Sequence, residues 1–234
     1  MKLYCIPYAG GNEDFYRNWD LGPEISVIPL LLRGRKERIF LPPYQSIEEA
    51  AQECYQQIME NQWDQERYCI FGHSMGALIA YETYNQIYQN YAPIPAALFL
   101  SGTNIPDCKY TGRKLSELED EVLMRELLPL GGVQAEVMNN KEVLHFFLNT
   151  LRNDLKLLEK WDRKGCKTKI QADIVVLFSK SDELIDMDSI KKWEDYTEGT
   201  CDFYDFPGGH FYFLKDNYKG LLQVLHNKLM KMGG

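Results

Sequence analysis

Short apolar runs alternate along the chain with longer segments in which apolar residues recur at helical spacing. The runs are nearly continuous, and they lie at residues 2–7, 25–32, 67–72, 96–102, 173–179 and 201–206. A strand that is covered on both faces has this continuous apolar pattern. Strands that alternate with helices are typical of a mainly parallel sheet. The pattern therefore predicts an α/β fold in which helices cover the sheet.

Two of the helical segments have clear signals. Ser46 is a predicted N-cap, and Glu49 three positions later completes a capping box. The residues on the apolar face of this first segment are Ile47, Ala50, Ala51, Cys54 and Ile58. The segment at 215–231 aligns Tyr218, Leu221, Leu222, Leu225 and Leu229 in the same way. We expect both segments to be covering helices.

The segment from about Asp107 to Gln171 interrupts the alternation, because it contains helical patterns and no convincing strand. Amphipathic stretches occupy residues 115–130, 141–151 and 155–161, and breaker residues lie at 129–132 and 139–140. We therefore predict one α/β domain over residues 1–234 with a helical insertion at 107–171.

Composition and charge narrow the classes of function. The net charge of -8 opposes a broad attraction to nucleic acid. No apolar stretch is long enough for a membrane span, and the N-terminal run is too short for a secretory signal, so a cytoplasmic protein is expected. The six cysteines form no CxxC pair. This spacing argues against a zinc site and against a thioredoxin-like motif.

A Gly-x-Ser-x-Gly pattern is centred on Ser74, between the predicted strand at 67–72 and a helical pattern that starts at Ala77. In a strand-turn-helix setting this pattern forms a nucleophile elbow that exposes the serine hydroxyl above the sheet. The alternative is a glycine-rich turn in which Ser74 only caps the helix. The position between strand and helix favours the nucleophile.

A serine nucleophile needs a base, and the chain has four histidines. His73 adjoins Ser74 and is expected to support the turn, while His145 and His226 lie on helical patterns where packed or solvated histidines are common. His210 follows the last predicted strand. In the chain order serine, acid and histidine, this loop is where the base belongs.

The carboxylate that orients His210 is expected on a loop after a strand, between Ser74 and His210. Asp182 fits best, and Asp107 is the alternative, since it also follows a strand. Two backbone N–H groups are expected to stabilise the oxyanion. Met75, directly after the nucleophile, and Ala9, in the loop after the first strand, are the predicted donors.

Several motifs together resemble the type II thioesterases, the stand-alone α/β-hydrolases that accompany nonribosomal peptide and polyketide synthases. The motifs are PYAGG at 7–11 followed by Phe15, GRKER at 34–38, GHSMGA at 72–77, LLPLGG at 127–132, LRNDLKLLEKW at 151–161 and PGGHFYF at 207–213. The similarity covers nearly the whole chain. One departure from the pattern is Tyr8, where many relatives have histidine, and we expect it to alter the channel entrance.

The resemblance implies an α/β-hydrolase fold and hydrolysis of acyl thioesters held on the phosphopantetheine arm of acyl or peptidyl carrier protein domains, an editing reaction. It assigns Ser74 as nucleophile, His210 as base and Asp182 as the partner of the base, with Ala9 and Met75 donating to the oxyanion. It also implies a mobile lid at 107–171, a monomer, and neither a bound cofactor nor a metal.

The lid helices are predicted to enclose the acyl chain, with Leu123, Leu127, Phe146 and Phe147 as substrate-binding residues. The alternative is that these apolar helix faces only pack together. A basic run from Lys160 to Lys169 is interpreted as a solvated linker in preference to a docking patch. Two other functions stay open: a carboxylesterase or lipase acting on free esters, and a noncatalytic acyl-carrier-binding protein.

Overall fold

The computed structural model describes residues 1–62, 64, 66–108, 114–133, 135–162, 169–214 and 217–233. Six strands form one sheet in the order β2-β1-β3-β4-β5-β6, and every neighbouring pair is parallel. The strands are Lys2–Ile6 (β1), Ser26–Pro29 (β2), Tyr68–His73 (β3), Ala97–Ser101 (β4), Asp173–Phe178 (β5) and Cys201–Asp205 (β6). The six apolar runs therefore predicted the sheet correctly.

One strand, β2, is shorter than its apolar run by several residues. β2 ends at Pro29, whereas the run continues to Leu32. Strand β1 is the pairing partner of β2 and ends at Ile6, with Cys5 opposite Pro29 in the register. The Leu30 N–H still donates to the Cys5 carbonyl at 2.8 Å, and after Leu30 no residue of β1 is left to pair with the chain.

Helices cover both faces of the sheet, as the pattern predicted. They are Asp14–Arg17 (α1), Ile47–Asn61 (α2), Met75–Gln89 (α3), Asp120–Leu127 (α4), Ala135–Met138 (α5), Lys141–Lys160 (α6), Met187–Lys191 (α7) and Tyr218–Gly233 (α8). Short 3-10 helices occupy Lys36–Arg38, Leu115–Glu117, Leu128–Leu130, Lys192–Tyr196 and Tyr212–Leu214.

The strands divide the core into two layers, because successive side chains point to opposite faces. In β1, Tyr4 and Ile6 join the cluster formed with α2 and α3. Leu3 and Cys5 join the opposite cluster, to which α8 contributes Leu221 and other leucines. Apolar residues are thus buried on both faces of the sheet, which explains the near-continuous runs in the sequence.

The predicted capping box at α2 forms in part. Ser46 Oγ accepts a hydrogen bond from the Glu49 N–H at 3.2 Å, as expected of an N-cap. The Glu49 carboxylate does not return to the Ser46 N–H. It accepts instead from the Gln45 N–H at 2.7 Å and pairs with Arg33, whose guanidinium competes for the same carboxylate.

Helices α4, α5 and α6 lie between β4 and β5 in the chain, and α4 and α6 share a small core of their own. This core comprises Leu123, Met124, Leu148, Leu151 and Leu155. The sequence suggested separate helices at 141–151 and 155–161, and this division was wrong: α6 runs without interruption from Lys141 to Lys160. Asn140 caps its start by accepting hydrogen bonds from two backbone N–H groups. Most of the basic run, residues 163–168, lies outside the described residues.

The strand order determines where a ligand can bind. β1 lies between β2 and β3, so the chain leaves β1 toward one side of the sheet and later returns to its other side. In open parallel sheets, ligands bind in the crevice at the carboxyl ends of such neighbouring strands. The loop at 7–11 after β1 and the turn at Ser74 after β3 both lie at this crevice.

Candidate active site

Ser74 occupies the sharp turn between β3 and α3. Its backbone has φ 54° and ψ -118°, a conformation that residues with a Cβ rarely adopt. The Ser74 N–H donates to the Ser101 carbonyl on β4 at 2.8 Å, and its own carbonyl accepts from the Ala77 N–H at 3.0 Å. The surrounding structure therefore holds a strained backbone in place, as a nucleophile elbow requires.

Two glycines make this turn possible. A Cβ added at Gly72 would overlap the backbone of Gly76, and a Cβ added at Gly76 would overlap the carbonyl of Ile6 on β1. The start of α3 therefore packs directly against the neighbouring strands, with no space for a side chain. The Gly-x-Ser-x-Gly pattern is thus explained by the close approach of backbones.

His210 and Asp182 form a buried hydrogen-bonded pair. His210 Nδ1 lies 2.7 Å from Asp182 Oδ2, and both side chains are almost inaccessible to solvent. Since an ionised carboxylate only accepts hydrogen bonds, Nδ1 carries the proton and the lone pair lies on Nε2. The other carboxylate oxygen, Oδ1, accepts from the Leu184 N–H at 2.9 Å. The imidazole is therefore held in the tautomer that a general base needs.

The alternative acid has a different partner. Burial, together with a hydrogen bond to Asp107, raises the pKa of Tyr196 well above its usual value. Asp182 is therefore the carboxylate that the fold brings to His210.

Ser74 and His210 line the same cavity, which has a volume of about 910 Å³. Ala9 and Met75 lie on its wall beside them. The helical insertion supplies an apolar side of the cavity, formed by Leu115, Leu127, Leu130, Leu151, Leu155 and Leu158. A concave apolar site with a few convergent polar groups is typical of small-molecule binding.

Only one of the four predicted lid residues lines this cavity. Leu127 does so, whereas Leu123 is fully buried in the core of the insertion. Phe146 is half exposed and borders a separate shallow pocket with Phe40. Phe147 packs against Gly10. Helical periodicity identified the apolar faces of the helices. It did not show that Phe146 and Phe147 of α6 contact parts of the chain outside this cavity.

The two predicted oxyanion donors flank Ser74 at the crevice. Met75 is the first residue of α3, so its N–H has no partner within the helix. Ala9 lies in a tight turn that is closed by the Gly11 N–H donating to the Tyr8 carbonyl at 2.9 Å. A helix N-terminus and a loop N–H are suitable donors for the oxygen of a tetrahedral intermediate.

His73 supports the turn from below, as the sequence suggested. Its Nδ1 lies 2.8 Å from Ser101 Oγ, which lies 2.6 Å from the Tyr212 hydroxyl. Burial, together with the nearby His210, lowers the pKa of His73 well below its usual range. His73 is therefore neutral at physiological pH and places no second positive charge beside His210.

The other two histidines lie away from this site. His145 is exposed on α6 and contacts Asn149 at 3.0 Å, and His226 on α8 hydrogen-bonds to the Leu21 carbonyl at 2.9 Å.

Tyr8, whose departure from the family pattern suggested an altered channel entrance, does not itself line the cavity, although Phe211 beside it does. It is buried, and its ring packs edge-on against Phe211 and His73. Burial raises the pKa of its hydroxyl to about 12. Its bulk therefore supports the catalytic loops from behind.

Two charged residues of this region were missed by the sequence reasoning. Arg35 and Asp154 form a buried ion pair that contacts the loop carrying Ala9. A signal was present: Asp154 interrupts the apolar stripe of α6 between Leu151 and Leu155, and a charge on a buried face needs a partner.

Neither a metal-binding cluster nor a membrane-spanning helix is found among the described residues. Among those residues, no group of three or more histidine, cysteine, aspartate or glutamate side chains is placed to hold a metal ion. No helix of the described chain has both the length and the apolar character needed to cross a membrane.

The all-parallel sheet, the nucleophile elbow and the histidine-carboxylate pair at its carboxyl edge define the molecule as an α/β-hydrolase. Comparison with known proteins narrows this class. Residues 1–229 match the model of the thioesterase domain family, and the chain belongs to that family.

Relatives and solved structures agree with this assignment. The thioesterase PikA5 of Streptomyces venezuelae is 27% identical over 236 residues, covering 100% of this chain and 83% of that protein. The medium-chain S-acyl fatty acid synthase thioesterase of Rattus norvegicus is 28% identical, covering 99% of this chain and 89% of that protein. The crystal structure of ClbQ from the colibactin NRPS/PKS pathway superimposes with a TM-score of 0.90 at 30% identity, covering 99% of this chain and 97% of ClbQ. The sequence-based assignment to the thioesterases and to the α/β-hydrolase fold is therefore confirmed.

Proposed function

We propose that the protein hydrolyses acyl thioesters carried on the phosphopantetheine arm of acyl or peptidyl carrier protein domains, and so removes stalled or incorrect acyl groups from a synthase. The observation that carries the proposal is the convergence at one cavity of Ser74, the His210–Asp182 pair and an apolar wall from the insertion. ClbQ, to which the chain is similar over nearly its full length, comes from an NRPS/PKS pathway.

The first half of the reaction forms an acyl-serine. His210 Nε2 takes the proton of Ser74 Oγ as the oxygen attacks the thioester carbonyl. The negative charge that develops on the carbonyl oxygen is stabilised by the N–H groups of Met75 and Ala9. The carbon–sulfur bond then breaks, and the thiol of the pantetheine arm leaves with the proton from His210.

The second half releases the acid. A water molecule gives its proton to His210 Nε2 and attacks the acyl-serine carbonyl, again with the oxyanion at the two N–H groups. The ester bond breaks, and Ser74 Oγ recovers its proton from His210. Asp182 stays ionised throughout and stabilises the imidazolium that forms in each half.

The insertion at 107–171 acts as a lid over the acyl chain in this proposal. Its leucines form one side of the cavity, so a long apolar acyl group is enclosed between the insertion and the sheet edge. A lid that closes over the substrate excludes water until the acyl group is positioned.

Replacement of the nucleophile tests the function. Ser74→Ala is expected to abolish hydrolysis of an acyl-carrier thioester while the protein remains folded, and Ser26→Ala, an exposed serine at the edge of the sheet, is the matched control. Activity is followed by thiol release and by mass spectrometry of the carrier, and the acyl-serine of the wild type is trapped by rapid acid quench.

A panel of substrates separates the alternatives. Faster turnover of carrier-bound thioesters than of simple oxygen esters at equal concentration supports the proposal. Preference for the free esters indicates a carboxylesterase. Binding of the acylated carrier without any turnover indicates a noncatalytic binding protein. Full activity in Ser74→Ala would contradict the assignment of the nucleophile.

A further inference from the structure

The loop that carries Ala9 is held by a buried ion pair that reaches it from the helical insertion. We propose that Arg35 and Asp154 are positioning residues for the oxyanion hole, so that helix α6 sets the orientation of the Ala9 N–H. The proposal rests on the function proposed above, because it concerns the transition state of the same reaction.

The contacts fall on the two residues that follow Ala9. The Gly10 N–H donates to Asp154 Oδ2 at 2.8 Å, and the Gly11 carbonyl accepts from Arg35 Nε at 2.5 Å. The Arg35 guanidinium also donates through Nη2 to the same oxygen of Asp154. Two consecutive residues are therefore held by one ion pair, one through its N–H and the other through its carbonyl.

This part of the backbone needs such a restraint. Gly10 has φ +72°, and a glycine pair has more conformational freedom than any other dipeptide. A Cβ at Gly10 would press against the ring of Phe147 on α6, so no bulkier and stiffer residue fits there. With glycine required, the orientation of the turn depends on external contacts, and the ion pair supplies them.

Helix α6 also contacts the segment that carries Arg35. Thr150, one helical turn before Asp154, donates its hydroxyl to the Gly34 carbonyl at 2.8 Å. The Arg35 Nη1 group donates to the Arg33 carbonyl at 2.9 Å, which fixes the guanidinium. The segment with Arg35, the helix with Asp154 and the loop with Ala9 are thus connected by directional bonds.

Energetics favour a role in positioning. Both side chains are about 5% exposed. Burial raises the pKa of Asp154, and Arg35 and the Gly10 N–H counteract this rise. A buried ion pair generally adds little net stability compared with apolar residues of the same volume. What this pair provides is a fixed geometry, in a place where apolar residues offer no directional bond.

The consequence for catalysis is specific. The Ala9 N–H interacts with charge that develops only in the transition state, so a tilted donor reduces kcat and leaves substrate binding largely unchanged. A residue that matters only for folding would alter the amount of active protein without this division between kcat and KM.

The test uses the full-length protein with an acyl-pantetheine thioester as the probe. Asp154→Ala removes the acceptor of both the Gly10 N–H and the Arg35 guanidinium, and we expect kcat to fall about 10- to 100-fold with KM within about twofold. The matched control is Asp202→Ala, which removes a carboxylate that pairs with Lys228 on α8 and has no contact with the Ala9 loop. It is expected to retain kcat within about twofold.

A measurement on the wild type covers the case in which Asp154→Ala does not fold. Hydrogen exchange followed by NMR should show the Gly10 amide exchanging at least about tenfold more slowly than the amide of exposed Asn12. Equal exchange at the two amides overturns the proposal, as does an unchanged kcat in folded Asp154→Ala. If the wild type itself fails to hydrolyse thioesters, the proposed function is wrong. The exchange rate of the Gly10 amide then still tests whether the loop is bonded to α6, because this measurement does not depend on activity.

Discussion

The substitution Asp182→Asn gives a sharp test of the catalytic arrangement. In the wild type, Oδ1 of Asp182 accepts from the Leu184 N–H and Oδ2 accepts from His210 Nδ1. The Leu184 N–H can only donate, so in the variant it selects the oxygen of the new side-chain amide and turns the NH2 group toward His210. The histidine must then present an unprotonated Nδ1 and carry its proton on Nε2.

The size of the effect follows from this tautomer. A histidine protonated on Nε2 has no lone pair facing Ser74, so the base is lost although the side chains keep their positions. Loss of the correct tautomer in a serine hydrolase triad costs about 10⁴-fold in kcat. At about 1.4 kcal/mol for each factor of ten, this loss corresponds to about 5.5 kcal/mol of transition-state stabilisation.

The assay compares steady-state kinetics of purified variants on the same acyl-pantetheine thioester. Asp202→Asn is the matched control, since it makes the same chemical change in a carboxylate that pairs with Lys228 on α8. This control is expected to keep kcat within about twofold. More than about a tenth of wild-type kcat in Asp182→Asn would refute the reasoning, because it would mean that His210 does not depend on Asp182 for its tautomer.

Two further predictions concern stability and mobility. His73 stays neutral in the folded state, while in the unfolded chain it binds a proton below about pH 6.5. The free energy of unfolding should therefore fall by about 1.4 kcal/mol per pH unit below that point. Urea titrations at pH 5 and pH 7 should show that His73→Gln lacks this contribution, and identical pH dependence in both proteins would contradict the prediction. If the insertion acts as a lid, limited proteolysis should cut within residues 107–171 before it cuts the sheet, and an active-site acyl phosphonate should slow that cleavage; simultaneous cleavage throughout the chain would argue against a mobile lid.

Much of the fold was predictable because strands that are buried on both faces consist mainly of apolar residues. Strands β1, β3, β4 and β5 are buried on both faces, so their sequences are almost uninterrupted apolar runs. Ser74 and His210 were identifiable because each lies at a junction between a strand and a helix, and the elbow additionally demands glycines. Asp182 and Asp107 both follow a predicted strand and lie between Ser74 and His210 in the sequence, and the structure supplies the hydrogen bond between Asp182 and His210.

The insertion was predicted less well, since periodicity gives the apolar face of a helix and not the partner of that face. Phe146 and Phe147 are adjacent in sequence, yet one is half exposed beside Phe40 and the other packs on Gly10. The Arg35–Asp154 pair joins positions 119 residues apart. Such a pairing depends on the three-dimensional path of the chain, and a single sequence reports only that Asp154 occupies an unusual place on an apolar stripe.

The bond between Gly10 and Asp154 has a consequence for protein engineering. The insertion of a hydrolase is an attractive segment to exchange between relatives in order to alter the acyl group accepted. Here a transplant bounded at 107 and 171 would also replace Asp154, the acceptor of the Gly10 N–H. A change intended to alter the substrate range would then also alter the oxyanion hole, which acts on every substrate. Chimeras whose exchanged segment ends before residue 154, or donors that already carry an aspartate at the equivalent position of α6, avoid this coupling.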